Sequence, residues 1–264
     1  MYPDPLFSIG KFSVHLYGIC IAIGIICTVM VLRTFGKKLK VDNKFLDFVE
    51  LTAYLAIGVG FFSAALFQAV YNYIDDPSAG FDLFGGGITF IGGLIGGAAT
   101  FLVIYFIRKN KYESSFKDII SIVPPCILIA HAFGRVGCFF AGCCYGIQTD
   151  SWLGVNFPNV VGKVYPTQLF EAIFLFILFG ITALLSWKKD YKHNFSIYLV
   201  FYGLFRFLIE YIRGDDRGAL VSGISPSQFL SLLMIAIGIG LYFFVEKVYL
   251  KKQIFKKNET ALDE

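Results

Sequence analysis

The stretch Ile119–Phe133, IISIVPPCILIAHAF, decides how this chain is folded. It is apolar apart from Ser121 and His131 and carries the pair Pro124-Pro125. A helix that crosses a bilayer needs about 20 mostly apolar residues. Proline removes a backbone donor and clashes with the preceding turn. Taken alone, the segment reads equally well as a short span or as a re-entrant piece. Six other segments are long enough to cross unaided: Val14–Leu32, Phe48–Tyr71, Gly87–Ile107, Thr167–Trp187, Phe195–Ile212 and Pro226–Val245. Whether the chain crosses six or seven times therefore rests on the charges flanking Ile119–Phe133.

Those charges alternate. Arg33, Lys37, Lys38, Lys40 and Lys44 follow the first span, whereas the next connection has no Lys or Arg and carries Asp75, Asp76 and Asp82. Arg108, Lys109, Lys111 and Lys117 follow the third span, and Lys188, Lys189 and Lys192 follow the fifth. Lys247, Lys251, Lys252, Lys256 and Lys257 lie in the C-terminal region. All seventeen fall on one side only if Ile119–Phe133 crosses, leaving Lys11, Arg135, Lys163, Arg213 and Arg217 on the other and Arg206 inside a span. Basic residues collect on the cytoplasmic side. The expectation is an all-α integral membrane protein with seven transmembrane helices, N-terminus outside and C-terminus cytoplasmic. Residues 1–264 form a single membrane domain, with 246–264 as a cytoplasmic tail.

Composition agrees. The 264 residues are 56% hydrophobic and 16% charged, against about 25% charged in soluble domains. Mean hydropathy is +0.68. Intrinsic disorder, a disulfide-stapled secreted scaffold and an ordinary soluble enzyme are excluded. The net charge of +4 marks topology and implies no nucleic-acid partner. The first apolar run starts late, has only Lys11 as a basic residue before it and ends on basic residues, unlike a cleaved signal peptide.

Ionisable residues inside a membrane are expensive and mark function. Arg206 and Glu210 stand four apart, on one face of a helix. Glu171, one turn into the fifth span, is placed to orient an arginine from another helix. With Arg135 and Tyr17 they gather at the outer half of the membrane, whereas Glu50 sits at a solvated span end. The segment Gly134–Gly146, GRVGCFFAGCCYG, reads as a tight outer loop with four glycines for close approach. An arginine among exposed backbone amides there suits a phosphate, so a phospholipid head group is the expected ligand. Gly137 and Gly146 are candidates for that approach. The second glycine run, Gly85–Gly97, reads as helix packing, with Gly92 and Gly93 as candidate lining of a substrate entrance. Pro166 and Pro226 read as helix starts, and Ser225 with Gln228 matches a capping box. Gln168 lies within reach of the site.

The spacing of Cys138, Cys143 and Cys144 lacks a paired C-x2-C knuckle, so no metal is expected from it. The three read as small fillers of a tight loop, with a redox role as the alternative.

The ordered set Tyr17-Gly18, Gly92-Gly93-Leu94-Ile95-Gly96, Gly134–Gly146, Pro166–Glu171, Tyr202–Arg206 with Glu210, and Ser227-Gln228 resembles the prolipoprotein diacylglyceryl transferases of bacterial membranes. The resemblance implies transfer of the diacylglyceryl group of phosphatidylglycerol to the lipobox cysteine of a preprolipoprotein signal peptide, without a cofactor. It implies a multi-pass protein of the bacterial plasma (inner) membrane, embedded in membrane lipid, with an extracytoplasmic active site. Arg135 and Arg206 would bind the phosphate and stabilise the leaving group, with Glu171 and Glu210 orienting them. Tyr17 and Gln168 would touch the head group, with Gly92, Gly93, Gly137 and Gly146 allowing close approach. The family commonly has His where Ile91 and Tyr165 stand, Asn where Cys138 and Ala141 stand, and an acidic residue near Cys143. Either no dedicated base is needed, or His131 or His15 serves, or the substrate is altered. A thiol-disulfide protein using the three cysteines and a small lipid or solute carrier are the readings from other classes.

Overall fold

Pro124 and Pro125 start a helix instead of breaking one. The computed structural model describes residues 4–10, 12–83, 87, 89–158, 160–214 and 224–260. Lys11, Gly85, Gly86, Ile88, Arg217 and the last four residues of the tail lie outside the described residues. In chain order the helices are α1 (Leu16–Lys38), α2 (Asn43–Asp75), α3 (Phe90–Arg108), a short α4 (Phe116–Ile119), α5 (Val123–Ala141), α6 (Thr167–Lys189), α7 (Asn194–Ile209) and α8 (Pro226–Thr260). Among the described residues, seven helices are long and apolar enough to cross a membrane, and the chain is a multi-pass membrane protein.

The span expected at Ile119–Phe133 is displaced. Proline at the first helical positions gives up only amides that have no partner there anyway, so α5 begins at Val123 and runs on through Gly134–Ala141. The expected loop with exposed amides is therefore helix as far as Ala141. Glycine costs about 1 kcal/mol against alanine in a helix, and in a membrane helix close packing offsets that.

Two compact units are distinguished. In residues 40–118, α2 and α3 form an antiparallel hairpin. Ala56, Gly60 and Ala64 of α2 meet Gly93 and Gly97 of α3. Ser63 donates to the Gly92 carbonyl at 2.9 Å and Thr89 to Gln68 at 2.7 Å. Lipid tails are as apolar as leucine, so small residues and such bonds drive this contact. Glu50 accepts from Tyr54 at an exposed end of α2.

In the second unit, residues 1–39 with 119–264, a hairpin of β1 (Phe7–Ile9) and β2 (Phe12–Val14) precedes α1, with Phe7 opposite Val14. Here α1 packs on α5, α5 on α6, α6 on α7 and α7 on α8. Leu128, Ala132, Leu175, Leu178 and Tyr202 form the core of this bundle. Its two ends differ. At one end, Asn194 donates to the Ser121 and Thr182 carbonyls at 2.9 Å, Ser186 donates to Ser121, and Lys38 lies 3.6 Å over the Trp187 ring. The other end gathers the start of α1, the end of α5, the start of α6, the end of α7 and the start of α8.

At that end α5 stops on Gly142, whose φ of +69° needs the left-handed freedom of glycine and whose N–H caps the Cys138 and Phe139 carbonyls. The chain then runs between two neighbours. Gly146 N–H donates to Tyr165 at 2.8 Å, and Ile147 N–H donates to Ile212 at 2.9 Å. A hairpin of β3 (Val155–Asn156) and β4 (Lys163–Val164) leads into α6.

Candidate functional site

Every candidate of the second unit belongs to the end just described. Arg135 stands on α5 and Glu171 on α6, each placed by the apolar packing of its helix. Their antiparallel run brings Arg135 Nε to 3.0 Å from Glu171 Oε1, with the Glu171 side chain fully buried. The same oxygen accepts from the Tyr202 hydroxyl at 2.8 Å and lies 3.7 Å from His131 Nε2. The terminal nitrogens of Arg135 meet no acceptor among the described residues.

Arg206 and Glu210 pair as their spacing requires, Nη1 to Oε2 at 2.6 Å, both side chains nearly buried. The first turn of α8 completes this pair. Arg206 Nη2 donates to Ser227 Oγ at 2.9 Å, and Ser225 Oγ donates to Glu210 Oε1 at 2.8 Å. The expected capping box is present: Gln228 Oε1 accepts from Ser225 N–H at 3.1 Å and Ser225 Oγ from Gln228 N–H at 3.2 Å. One serine thus caps α8 and steers the carboxylate that steers Arg206. Glu171 and His131 each lie within electrostatic reach of both Arg135 and Arg206, so the two ion pairs belong to one site.

Tyr17, in the first turn of α1, packs on Gly137, where an added Cβ would sit 3.0 Å from the ring. At Gly146 an added Cβ would collide with the Ile212 carbonyl and lie 2.9 Å from Thr167 and Tyr165. The close approach at Gly146 is thus made by the protein's own chain. Gln168 is fully buried and donates to the Cys143 carbonyl at 2.8 Å, and Thr167 donates to the Cys144 carbonyl at 2.8 Å. Glu171 Oε2 and Gln168 Oε1 are buried without a partner among the described residues. Buried acceptors of this kind are met by water or by ligand donors.

Gly92 and Gly93 are not brought to these residues within one unit. They face α2 across the hairpin: a Cβ on Gly92 would meet Phe67 at 2.7 Å, and one on Gly93 would meet Ala64 at 3.4 Å. Ile91, the position where the resemblance expects His, stands beside them and is 45% exposed.

Charge sorting assigns Arg213 only to the outer side; the fold buries it beside Cys144. Hydrogen bonds with the Cys138 and Cys143 thiols, and this arginine, hold the Cys144 thiol far below its ordinary range. Tyr202 and Thr167 enter the sequence reading only as members of the ordered set; that they donate to Glu171 and to the Cys144 carbonyl follows from the fold.

Chemically, this end offers two oriented guanidiniums, an imidazole paired with a carboxylate, and a loop strapped to two neighbours. Arg guanidiniums match phosphate geometry.

A model of the family described as prolipoprotein diacylglyceryl transferase matches residues 4–244. The chain is similar to the phosphatidylglycerol–prolipoprotein diacylglyceryl transferase of Clostridium tetani, 35% identical over 246 residues, covering 90% of this chain and 95% of that protein. It is also similar to transferase 2 of the same name from Clostridium perfringens, 34% identical with 87% and 90% covered. The Rickettsia conorii transferase of this name is 30% identical, with 88% and 93% covered. With its seven spans and paired arginines, the chain belongs to the prolipoprotein diacylglyceryl transferase family.

Proposed function

We propose that the protein transfers the diacylglyceryl group of phosphatidylglycerol to the lipobox cysteine thiol of preprolipoproteins, the first step of bacterial lipoprotein maturation. The observation that carries this reading is the convergence of two arginines, Arg206 buried and Arg135 half-buried, each held by its own carboxylate, at one end of a membrane-spanning bundle. The relatives' names supply the two substrates.

The reaction forms one carbon–sulfur bond and breaks one carbon–oxygen bond. The thiol sulfur attacks the glyceryl carbon that carries the phosphate, and glycerol phosphate leaves with the bonding electrons. Arg135 and Arg206 bind the phosphodiester and stabilise the negative charge that grows on the departing group. Glu171 and Glu210 fix the two guanidiniums before substrate arrives, so little reorganisation remains at the moment of reaction. His131, beside Glu171, takes the thiol proton. Tyr17 and Gln168 border the head group.

The bundle stands in the bacterial plasma membrane with its N-terminus outside, its C-terminus cytoplasmic and the site in the extracytoplasmic half. One feature supports this orientation. Lys37, Lys38, Lys188 and Lys189 end α1 and α6 at the opposite end of the same unit from Arg135 and Arg206, and basic residues favour the cytoplasmic face.

Incubating purified protein with phosphatidylglycerol and a lipobox peptide, with mass spectrometry of the peptide, tests the reading. A diacylglyceryl mass increment on the cysteine is expected. Its absence, with a relative's enzyme active alongside, overturns it.

A further inference from the structure

Three thiols meet at the end of α5 and take no part in the reaction above. Cys138 stands on the last turn of α5. Gly142 and Cys144, both left-handed with φ of +69° and +62°, turn the chain back so that Cys143 and Cys144 return onto it. The Cys143 N–H donates to the Cys138 carbonyl at 3.2 Å and pins this return. The three Sγ atoms lie within 4.8 Å of one another, and all are free thiols. The remaining cysteines are dispersed: Cys20 and Cys27 lie on α1, and Cys126 donates to the Thr28 carbonyl.

The spacing gives no metal knuckle, yet the fold closes the set. Thiolates bound to zinc at about 2.3 Å stand about 3.8 Å from one another. Side-chain rotations that move each sulfur by on the order of 1 Å gather the three round one ion. Soft thiolate donors select thiophilic cations. Three thiolates on a divalent ion leave one negative charge in excess, and the buried Arg213 beside Cys144 supplies the opposite charge. A cleft lined by Gly142, Cys143, Cys144, Tyr145 and Gly214 leaves a way in.

We propose that Cys138, Cys143 and Cys144 form a site for one thiophilic d10 cation of the zinc and cadmium class, with a fourth position open to the cleft. On binding, each sulfur that still carries a proton gives it to solvent and three metal–sulfur bonds form, with no change of oxidation state. The occupied site fixes the loop whose Cys143 and Cys144 carbonyls hold Gln168 and Thr167 of α6. This inference stands independently of the transferase reading.

The test uses full-length, reduced, metal-free protein in detergent micelles, titrated with Cd2+. The expected result is a thiolate-to-metal charge-transfer band that saturates at one ion per chain, with Zn2+ competing for it. Alkylation mapped by mass spectrometry on the unmodified chain is expected to find Cys138, Cys143 and Cys144 protected together by the ion. Cys138→Ser, Cys143→Ser and Cys144→Ser each weaken binding at least tenfold, and Cys27→Ser leaves it unchanged. No band, a band that survives in the triple serine variant, or protection of only two of the three thiols overturns the proposal. So does a reduced protein that joins two of these thiols as a disulfide while taking up no cation.

Discussion

Arg135 and Glu171 join α5 to α6 through a contact of 3.0 Å whose carboxylate is fully buried. Arg206 and Glu210, by contrast, pair within one stretch of chain and lean on the first turn of α8. The two pairs therefore differ in what depends on them: the first couples helices, and the second aims one guanidinium.

That difference predicts unequal stability losses. Removing one partner of a buried ion pair costs roughly 3–5 kcal/mol, because the other charge is left uncompensated. Glu171→Ala strands Arg135 and also removes the acceptor of the Tyr202 hydroxyl. Glu210→Ala leaves Arg206 its bond to Ser227. Thermal unfolding in detergent is expected to fall well below wild type for Glu171→Ala and by clearly less for Glu210→Ala. Equal midpoints would count against the coupling role of Glu171.

Activity separates charge from geometry. Lysine keeps the positive charge and loses the planar fork that matches phosphate. Arg135→Lys and Arg206→Lys are each expected to lower the transfer rate by about 10²-fold, the scale for removing one oriented donor from a developing anion. Far-UV circular dichroism is expected to stay helical. Retained activity in both variants would mean that the two arginines only lock the bundle.

Much of this arrangement is legible in the sequence, for reasons that also mark where legibility stops. Lipid demands long apolar runs and sorts lysines to one face, so the seven spans can be read directly, as can the Arg206–Glu210 spacing and the Ser225–Gln228 box. The end of α5 cannot be read in that way. Pro124-Pro125 reads as a break and Gly134–Ala141 as a loop, although neighbours stabilise both as helix. Contacts between distant segments leave no local trace. Thr167 with Cys144, Gly146 with Ile212 and the burial of Arg213 follow from topology, and the cysteine spacing conceals a convergence that only the left-handed turn creates.

His131 supplies a pH-dependent test. If it accepts the thiol proton, His131→Asn is expected to lower the rate by about 10²-fold near neutral pH, within the usual range for general-base catalysis. The variant must then rely on thiolate already present in the substrate. A thiol with a reference pKa of about 8.5 gains roughly tenfold in thiolate per pH unit below that value. The deficit against wild type is therefore expected to shrink as pH rises from 6.5 to 8.5. A deficit that stays constant across this window would remove His131 from proton transfer.

Four glycines can be ranked by what an added methyl would meet, and the ranking separates packing from substrate contact. At Gly146 the methyl collides with the Ile212 carbonyl, which is backbone and held by its bond to Ile147, so Gly146→Ala is expected to lose both folded yield and activity. At Gly137 it meets the Tyr17 ring at 3.0 Å, which can swing aside, and the Cys20 Cβ and the Tyr17 carbonyl at 3.3 Å, which need give only a few tenths of an ångström. Gly137→Ala is therefore expected to fold and to lose activity through a displaced Tyr17. At Gly92 it meets Phe67 at 2.7 Å, and the loss should be one of stability, spread through the α2–α3 hairpin. Gly93 is the informative case, because its neighbour Ala64 lies at an ordinary 3.4 Å. Gly93→Ala is expected to unfold like wild type, so any rise in KM for phosphatidylglycerol in that variant reports substrate contact at this glycine. An unchanged KM would assign the Gly92-Gly93 pair to helix packing alone.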